Sequence, residues 1–530
     1  MKYLAGLLLL SFASVAAWTQ APAHTGYRTV HVDAGKVIGQ IRDFQGLNGQ
    51  PTPVLKRLPN LVRQYKDLHT SLVRTHDMMG PADIDAVFKF DNIWQEWLIP
   101  DPEARRGVVD NGNESIIFPN PNADPENPAS YNFGPTDKVM AAIHAAGGHV
   151  YYRIGRSWGA QAAPPVNFDS YADEVKHVAM HYNQGWDHGF HYGIKYWEFW
   201  NEPDEVFFWT GTPQQFYELY AKTARALKSV DPTLMIGGPA IAVPAHPSPY
   251  RDGFLDYCKK HNVPFDFYSW HTYAIGSADP YDGVRLARNF RKILDDHGYP
   301  HARSILSEWN LTPDFTEAEN TELEGPHNAA FIGAALTYFQ DAPLDAAIFY
   351  RGDAAWMGLF DVKGNYFKTA YAFKAMGRMQ DTPQRLAVTG ADTYGFAVLA
   401  GKSADDRSVQ MLLSNYEIPA GYKRKMMHMS PAVQKIFNER DAEYEAKKKN
   451  EPSANELPQR TGIIYKENAG YNLTVADLPW GSAPFTVQRY RLSKTQNLAL
   501  VEDKVASGGT VKISTAFPPD TVELIVLKRR

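Results

Sequence analysis

Cysteine is almost absent: Cys258 is the only one in 530 residues. That excludes an intrachain disulfide and any Cys-rich zinc centre. An excess of positive charge is also missing, since 54 Lys and Arg face 59 Asp and Glu for a net charge of −5. Nothing in that balance attracts a nucleic acid or an anionic membrane surface, so neither is expected as a partner. The N-terminus carries an apolar run, from Leu4 through Leu10 to Ala17, and it is too short to span a bilayer comfortably. With Lys2 ahead of it and small residues at Val15-Ala16-Ala17 and Ala21-Pro22-Ala23 behind, it reads as a secretory signal peptide over residues 1–23. The expected location is therefore secreted or periplasmic, with no membrane attachment after cleavage. No cysteine lies near the cleavage region to take a lipid anchor.

The remaining composition is that of a globular chain, 44% hydrophobic and 21% charged. At this length, one large domain with a smaller companion is expected. Aromatics reach 13%; most fill cores, although sugar clefts also use flat aromatic faces. From about residue 40 to 380, short β-type runs alternate with helical periodicity. Eight candidate strands can be placed, at Phe44–Asn48, Ser71–Arg74, His149–Ile154, Tyr196–Trp200, Leu234–Gly237, Phe265–Trp270, Ser304–Ser307 and Ala346–Phe349. Eight strands with intervening helices predict a (β/α)8 TIM barrel. An open doubly wound sheet is disfavoured, because no Gly-rich phosphate loop follows the first strand. A Pro-, Asn- and Asp-rich insertion, Asp91–Tyr131, follows the second strand and belongs over the C-terminal mouth. Residues 381–530 read as an accessory β-sandwich joined by a strand from 27–39, and Ser430 to Lys449 as an inserted amphipathic helix.

Glu202 closes the fourth strand and Glu308 the seventh. Residues at C-terminal strand ends line the mouth of such a barrel. Two carboxyl groups on different sides of one mouth suit retaining glycoside hydrolysis, in which an acid/base and a nucleophile stand roughly 5–5.5 Å apart. Asn201 can hydrogen-bond a sugar 2-hydroxyl as the oxocarbenium-like transition state forms. Pro203 bars helical geometry at Glu202, which predicts an extended strand end. His271 and Tyr273, just past the sixth strand, can orient a carboxylate or meet a hydroxyl. Arg74 can hold Glu308 ionised, or form a purely structural pair.

The run Tyr196-Trp197-Glu198-Phe199-Trp200-Asn201-Glu202-Pro203, with Ser307-Glu308-Trp309-Asn310 downstream, resembles the retaining glycosidase clan that carries strand-4 and strand-7 glutamates. Adding Ser269-Trp270-His271-Thr272-Tyr273 and Gly358-Leu359-Phe360-Asp361, the chain resembles glycoside hydrolase family 39, the family of β-xylosidases and α-L-iduronidases. The resemblance covers roughly residues 40–380. It implies Glu202 as acid/base and Glu308 as nucleophile, with no metal and no cofactor. It further implies an oligo- or polysaccharide substrate, contacted by Asn201, His271, Tyr273, Arg74, His76, Arg156, Trp309 and Trp356. A β-xylosidase-like exo-glycosidase is the favoured expectation, with iduronidase-, uronidase- or arabinosidase-like specificity as alternatives. The third strand ends Tyr151-Tyr152-Arg153-Ile154-Gly155-Arg156, more basic than a xylosidase suggests. Either arginine can grip a uronate carboxylate bidentately or balance a local acid. Two other classes remain open: a carbohydrate-binding protein that has lost catalysis, and a metal-dependent hydrolase using His76, Asp77 and His271.

Overall fold

The alternating pattern folds as eight parallel strands closed on themselves. In the computed structural model, residues 26–53, 58–78, 80–85, 115–157, 162–205, 208–242, 244–245, 247–274, 278–311, 322–354, 357–419, 460 and 470–530 are described. The signal segment, most of the Asp91–Tyr131 insertion, the helix expected at Ser430 to Lys449 and Trp356 lie outside them. The barrel strands are Gly46–Asn48, Leu72–Arg74, His149–Ile154, Tyr196–Phe199, Met235–Ile241, Phe267–Tyr273, Arg303–Asn310 and Ala346–Phe349, each paired in parallel with the next and the last with the first. They are referred to below as the first to eighth. The expected TIM barrel is thus the fold. Among the described residues, no helix is long and apolar enough to cross a membrane.

Strand alternation sorts the side chains. Tyr151, Phe267, Ile305 and Ile348 point inward and plug the base of the barrel as a separate apolar cluster. Their neighbours point outward to the surrounding helices. One of these helices, Pro213–Val230, starts at a capping box: Thr212 Oγ1 accepts from the Gln215 amide at 3.2 Å, and the Gln215 side chain accepts from the Thr212 amide at 2.9 Å. Between the seventh and eighth strands runs Pro326–Phe339, buried on almost every face. Such an all-round apolar helix belongs in the middle of a structure. Here it lies between the barrel and the C-terminal sheet. Gly333 permits the approach, since a Cβ there would stand 3.2 Å from the Ser414 side chain.

Among the described residues, the C-terminal layer is a nine-stranded sheet. Its order runs Ala499–Ala506, Phe485–Leu492, Thr521–Arg529, Ser408–Asn415, Phe396–Lys402, Gln384–Thr389, Tyr27–Gln40, Gly470–Ala476, Val511–Ala516. Tyr27–Gln40 pairs antiparallel with Gln384–Thr389 and parallel with Gly470–Ala476, so the segment before the barrel is built into the sheet after it. The period of two divides its residues between two cores. Val398, Ala400, Met411, Leu413, Ile525 and Leu527 fill the sheet's own core, while Ala397, Leu399, Leu412, Leu524 and Val526 join the barrel's. Burial on both faces makes the sheet a fixed wall against which the barrel is held.

Candidate active site

A charged layer lies directly above the apolar plug. Arg74, fully buried at the end of the second strand, donates from Nε to Glu198 Oε2 at 2.5 Å and from one terminal nitrogen to Asn48 Oδ1 at 3.0 Å and Glu308 Oε1 at 2.7 Å. Its other terminal nitrogen donates to Asn201 Oδ1 at 2.8 Å. Tyr151 completes the layer by donating to Glu198 Oε1 at 3.1 Å. One guanidinium thus organises three barrel strands and the loop that carries Glu202. Removing it would strand the Glu198 carboxylate in a dry interior, and breaking a buried pair in this way costs about 3–5 kcal/mol. Arg74→Met is therefore expected to lower unfolding stability by about that amount in denaturant titration, together with a loss of activity. Wild-type stability in the variant would contradict this account.

Above the layer stand the two glutamates. Glu202 does not sit on an extended strand end. Trp200 has φ +68° and Glu202 φ +42°, so the chain kinks through the left-handed region twice within three residues. Pro203 disfavours the right-handed helical region for Glu202, and the left-handed region is the one this residue adopts. The kinks are held by hydrogen bonds from the Trp200 amide to Ile154 O at 2.7 Å and from the Glu202 amide to Ala240 O at 2.9 Å. Strain of this kind persists where the surroundings impose it, and it concentrates at functional sites. Glu308 lies inside the longer seventh strand. Register shifts beside Trp270/His271 and between Leu306 and Trp309 bring His271 opposite Glu308.

The polar contacts converge. His271 Nδ1 and Glu202 Oε1 share a hydrogen bond of 2.7 Å, and His271 Nε2 lies 3.2 Å from Ser307 Oγ. Tyr273 donates to Glu308 Oε2 at 2.6 Å. His76 Nε2 lies 3.5 Å from Glu308 Oε1. Asn201 Nδ2 is buried without a protein partner, so this amide remains available as a donor. One oxygen from each glutamate and one His271 nitrogen all fall within 4.8 Å of one another. Such a triad could hold a cation by spacing alone, but the Arg74 guanidinium already supplies the positive charge at Glu308, and a dication would have to sit against it.

Burial separates the protonation states. Desolvation, reinforced by repulsion from Asp204, pushes the Glu202 carboxyl up to about 8. Glu308 is also raised by burial, against the opposing pull of His271 and Arg74 and the hydrogen bond from Tyr273. His271 is driven down to about 4, chiefly by burial, and His76 well below its ordinary value by burial and then Arg74. Both imidazoles are neutral near pH 7. The mouth therefore offers one carboxyl held as an acid and a second held by three donors or polar neighbours.

The structure brings Glu202, Glu308, Asn201, His271, Tyr273, Arg74 and His76 together, and leaves two of the expected substrate contacts elsewhere. Trp309 follows an inward glutamate and so points outward, packing its ring against Phe339 and Phe349 at 5.1 and 5.2 Å between the barrel and its helices. Arg156 is bound bidentately by Asp85, at 2.8 and 2.7 Å, with its guanidinium 5.7 Å above the Trp200 ring. Arg153 is fully buried and donates to Asp83 at 2.9 Å. The basic third strand thus faces its own two aspartates and not the paired glutamates. Residues missed from the sequence are Asn48, Glu198, Tyr350 and Arg351, while Asp77, expected only as a metal ligand, accepts from the Tyr350 hydroxyl. Glu198 was recoverable, because it shares the inward phase of its strand with the mouth.

The model of glycosyl hydrolases family 39 matches residues 140–337, which span both glutamates. The chain is 29% identical over 202 residues to a β-xylosidase of Geobacillus stearothermophilus, a match covering 34% of this chain and 38% of that protein. The chain therefore spans well under half the length of the curated β-xylosidase it matches. The solved glucosidase of Croceicoccus marinus is 32% identical, with 95% of this chain and 99% of that one superposed at a TM-score of 0.79. A monomeric β-xylosidase of Caulobacter crescentus CB15 shares the fold at 16% identity, with 95% of this chain and 99% of that one covered at a TM-score of 0.65.

Proposed function

Because the chain belongs to glycosyl hydrolase family 39, we propose that it cleaves O-glycosidic bonds of neutral β-glycosides with retention, through a covalent glycosyl-enzyme on Glu308. The observation that carries this reading is the pair of glutamates with oxygens within 4.8 Å of each other across one mouth. That separation suits a nucleophile and an acid/base, and leaves no room for the second water-bearing gap of an inverting enzyme.

The steps follow from the groups present. Glu202, protonated below about pH 8, gives its proton to the departing glycosidic oxygen while Glu308 attacks the anomeric carbon from the opposite face. Arg74 and Tyr273, at 2.7 and 2.6 Å, hold the two Glu308 oxygens and fix the direction of attack. Neutral His271 keeps Glu202 in place through its 2.7 Å hydrogen bond without adding a charge that would discharge the acid. In the second step Glu202, now a carboxylate, takes a proton from water as that water attacks the glycosyl-enzyme. The Asn201 amide is available to the sugar 2-hydroxyl throughout.

The preference for a neutral sugar rests on Arg153 and Arg156, which are both engaged by aspartates. The relatives' names supply the candidate sugars, xylose and glucose. Proton NMR of aryl-glycoside hydrolysis tests the proposal directly: the β-anomer of the sugar is expected to form first from a β-glycoside, and rates are expected to be unchanged by chelator. Initial release of the α-anomer would reject the retaining assignment. Chelator sensitivity would move the function to a metal on Glu202, His271 and Glu308.

A further inference from the structure

Beside the paired glutamates, a small cavity of about 20 Å³ opens between the loops that follow the first, second and eighth barrel strands. Gln50, Thr52, Asp77, Arg351 and Asp353 are its polar lining, and Leu58 is among its apolar lining. Two routes connect it to the nucleophile. On the first, His76 Nε2 lies 3.5 Å from Glu308 Oε1 and 3.4 Å from Asp77 Oδ2. On the second, Tyr273, which donates to Glu308, stands edge-on to Tyr350 at 6.3 Å, and Tyr350 donates to Asp77 Oδ2 at 2.8 Å. A single imidazole, that of His76, thus separates Asp77 on the cavity wall from Glu308.

Its chemistry is specific. The Arg351 guanidinium is already committed, to both Asp353 oxygens at 2.7 and 2.5 Å, to Asp77 O at 3.0 Å and to the Tyr350 hydroxyl at 3.2 Å. It forms a neutral pair and has no bidentate face left for a carboxylate. Gln50 is only 4% exposed, and its Oε1 is buried with no hydrogen-bond partner. A buried carbonyl oxygen in that state calls for a donor. The wall is rigid: the Gly352 amide donates to Asn48 O at 2.8 Å, and Gly49, at φ +85°, lets the backbone pass so close to Asp353 that a Cβ would stand 3.0 Å from its carboxylate. Space for about one water-sized group, beside an unpaired carbonyl oxygen and two aspartates, with the Arg351 guanidinium already committed to its own partners, suits a single hydroxyl and repels an anion.

Resting on the retaining-glycosidase reading above, we infer that this cavity is a subsite for the exocyclic hydroxymethyl group of a hexopyranose, with Gln50 and Asp77 as specificity-determining residues. With the anomeric carbon between Glu202 and Glu308 and the 2-hydroxyl beside Asn201 on the loop after the fourth strand, C5, which lies opposite C2 in the ring, would face the loops of the first, second and eighth strands across the mouth. A hydroxymethyl on that end donates its hydroxyl to Gln50 Oε1. A pentose leaves the oxygen unpaired, and a uronate sets a carboxylate against Asp77 and Asp353.

Glucosides and xylosides differ only in this group, which makes them the matched test. The wild-type enzyme is expected to show a kcat/KM at least about tenfold higher on an aryl β-glucoside than on the aryl β-xyloside, the scale of one buried hydrogen bond gained or lost. Free glucose should inhibit at lower concentration than free xylose, and Gln50→Ala should shrink the glucoside-to-xyloside ratio by about tenfold. A preference for the xyloside, or a Gln50→Ala ratio equal to that of wild type, overturns the subsite. If Gln50→Ala does not fold, the wild-type ratio and the two inhibition constants decide alone. Failure to hydrolyse either glycoside rejects the glycosidase reading itself, which is a different result from hydrolysing xylosides and refusing glucosides.

Discussion

Glu308→Gly is expected to lower kcat on every glycoside by about 10⁴-fold or more, equivalent to about 5–6 kcal/mol of transition-state stabilisation at 1.36 kcal/mol per tenfold. The effect is large because nothing else at the mouth can replace the group. Arg74 and Tyr273 converge on Glu308 from two sides, at 2.7 and 2.6 Å, and without it they surround an empty position. That position gives the experiment its sharper readout. Azide is small enough to occupy the vacated space and should restore turnover on substrates with good leaving groups. It would attack from the face that Glu308 held, so the product is the glycosyl azide of inverted configuration. The variant is expected to fold, because the Arg74 bonds to Glu198, Asn48 and Asn201 survive the deletion. Wild-type turnover in Glu308→Gly, or an azide product of retained configuration, would contradict its assignment as nucleophile.

The barrel was legible in the sequence because its signals are local. Tight runs such as His149–Ile154 and Ala346–Phe349 coincide with the strands observed, since β-rich segments between helical periodicities announce their own limits. The sixth and seventh strands run on to Tyr273 and Asn310, past the ends expected at Trp270 and Ser307. That extension is a tertiary effect: neighbouring strands and their register shifts support backbone that propensity alone would release. The left-handed kinks at Trp200 and Glu202 were invisible for the same reason, being imposed by hydrogen bonds to Ile154 and Ala240 on adjacent strands.

In the site, identity was easier to read than direction. Two glutamates at strand ends advertise themselves, whereas the partner of an arginine depends on what folding brings near it. Arg156 turned out to belong to Asp85, which lies 71 residues earlier in the chain. Trp309 could have been placed outward from strand alternation once Glu308 was placed inward. In the C-terminal sheet, Ala499–Ala506 and Val511–Ala516 carry little local signal, because neither reads as an apolar run. The first is an edge strand with Glu502, Asp503 and Lys504 at its centre, and it needs no apolar alternation to pair with Phe485–Leu492.

Glu202→Ala should divide substrates by their leaving groups, and pH provides an independent check. A departing sugar alkoxide needs a proton, and general-acid assistance contributes about 10²–10⁴-fold; kcat/KM on disaccharides should fall by that amount. A nitrophenolate departs unaided, so the glycosyl-enzyme on Glu308 still forms and accumulates, because the base for its hydrolysis is missing. A rapid burst followed by slow turnover is expected, and azide should now yield the product of retained configuration, from the face opposite to that used in the Glu308 variant. In the wild-type enzyme the working form of Glu202 is the acid. Burial raises this carboxyl to about 8, so the proton is present at pH 7, and kcat/KM on poor leaving groups should decline as pH rises through about 8. The descending limb belongs to the pair as a whole, since two carboxyls this close titrate together. Glu202→Ala should abolish that limb and leave the ascending one, set by ionisation of Glu308. Because burial raises Glu308 as well, the ascending limb should lie above the ordinary glutamate range. A descending limb that persists unchanged in Glu202→Ala would assign the acid to another residue, and unimpaired hydrolysis of disaccharides would remove Glu202 from the mechanism.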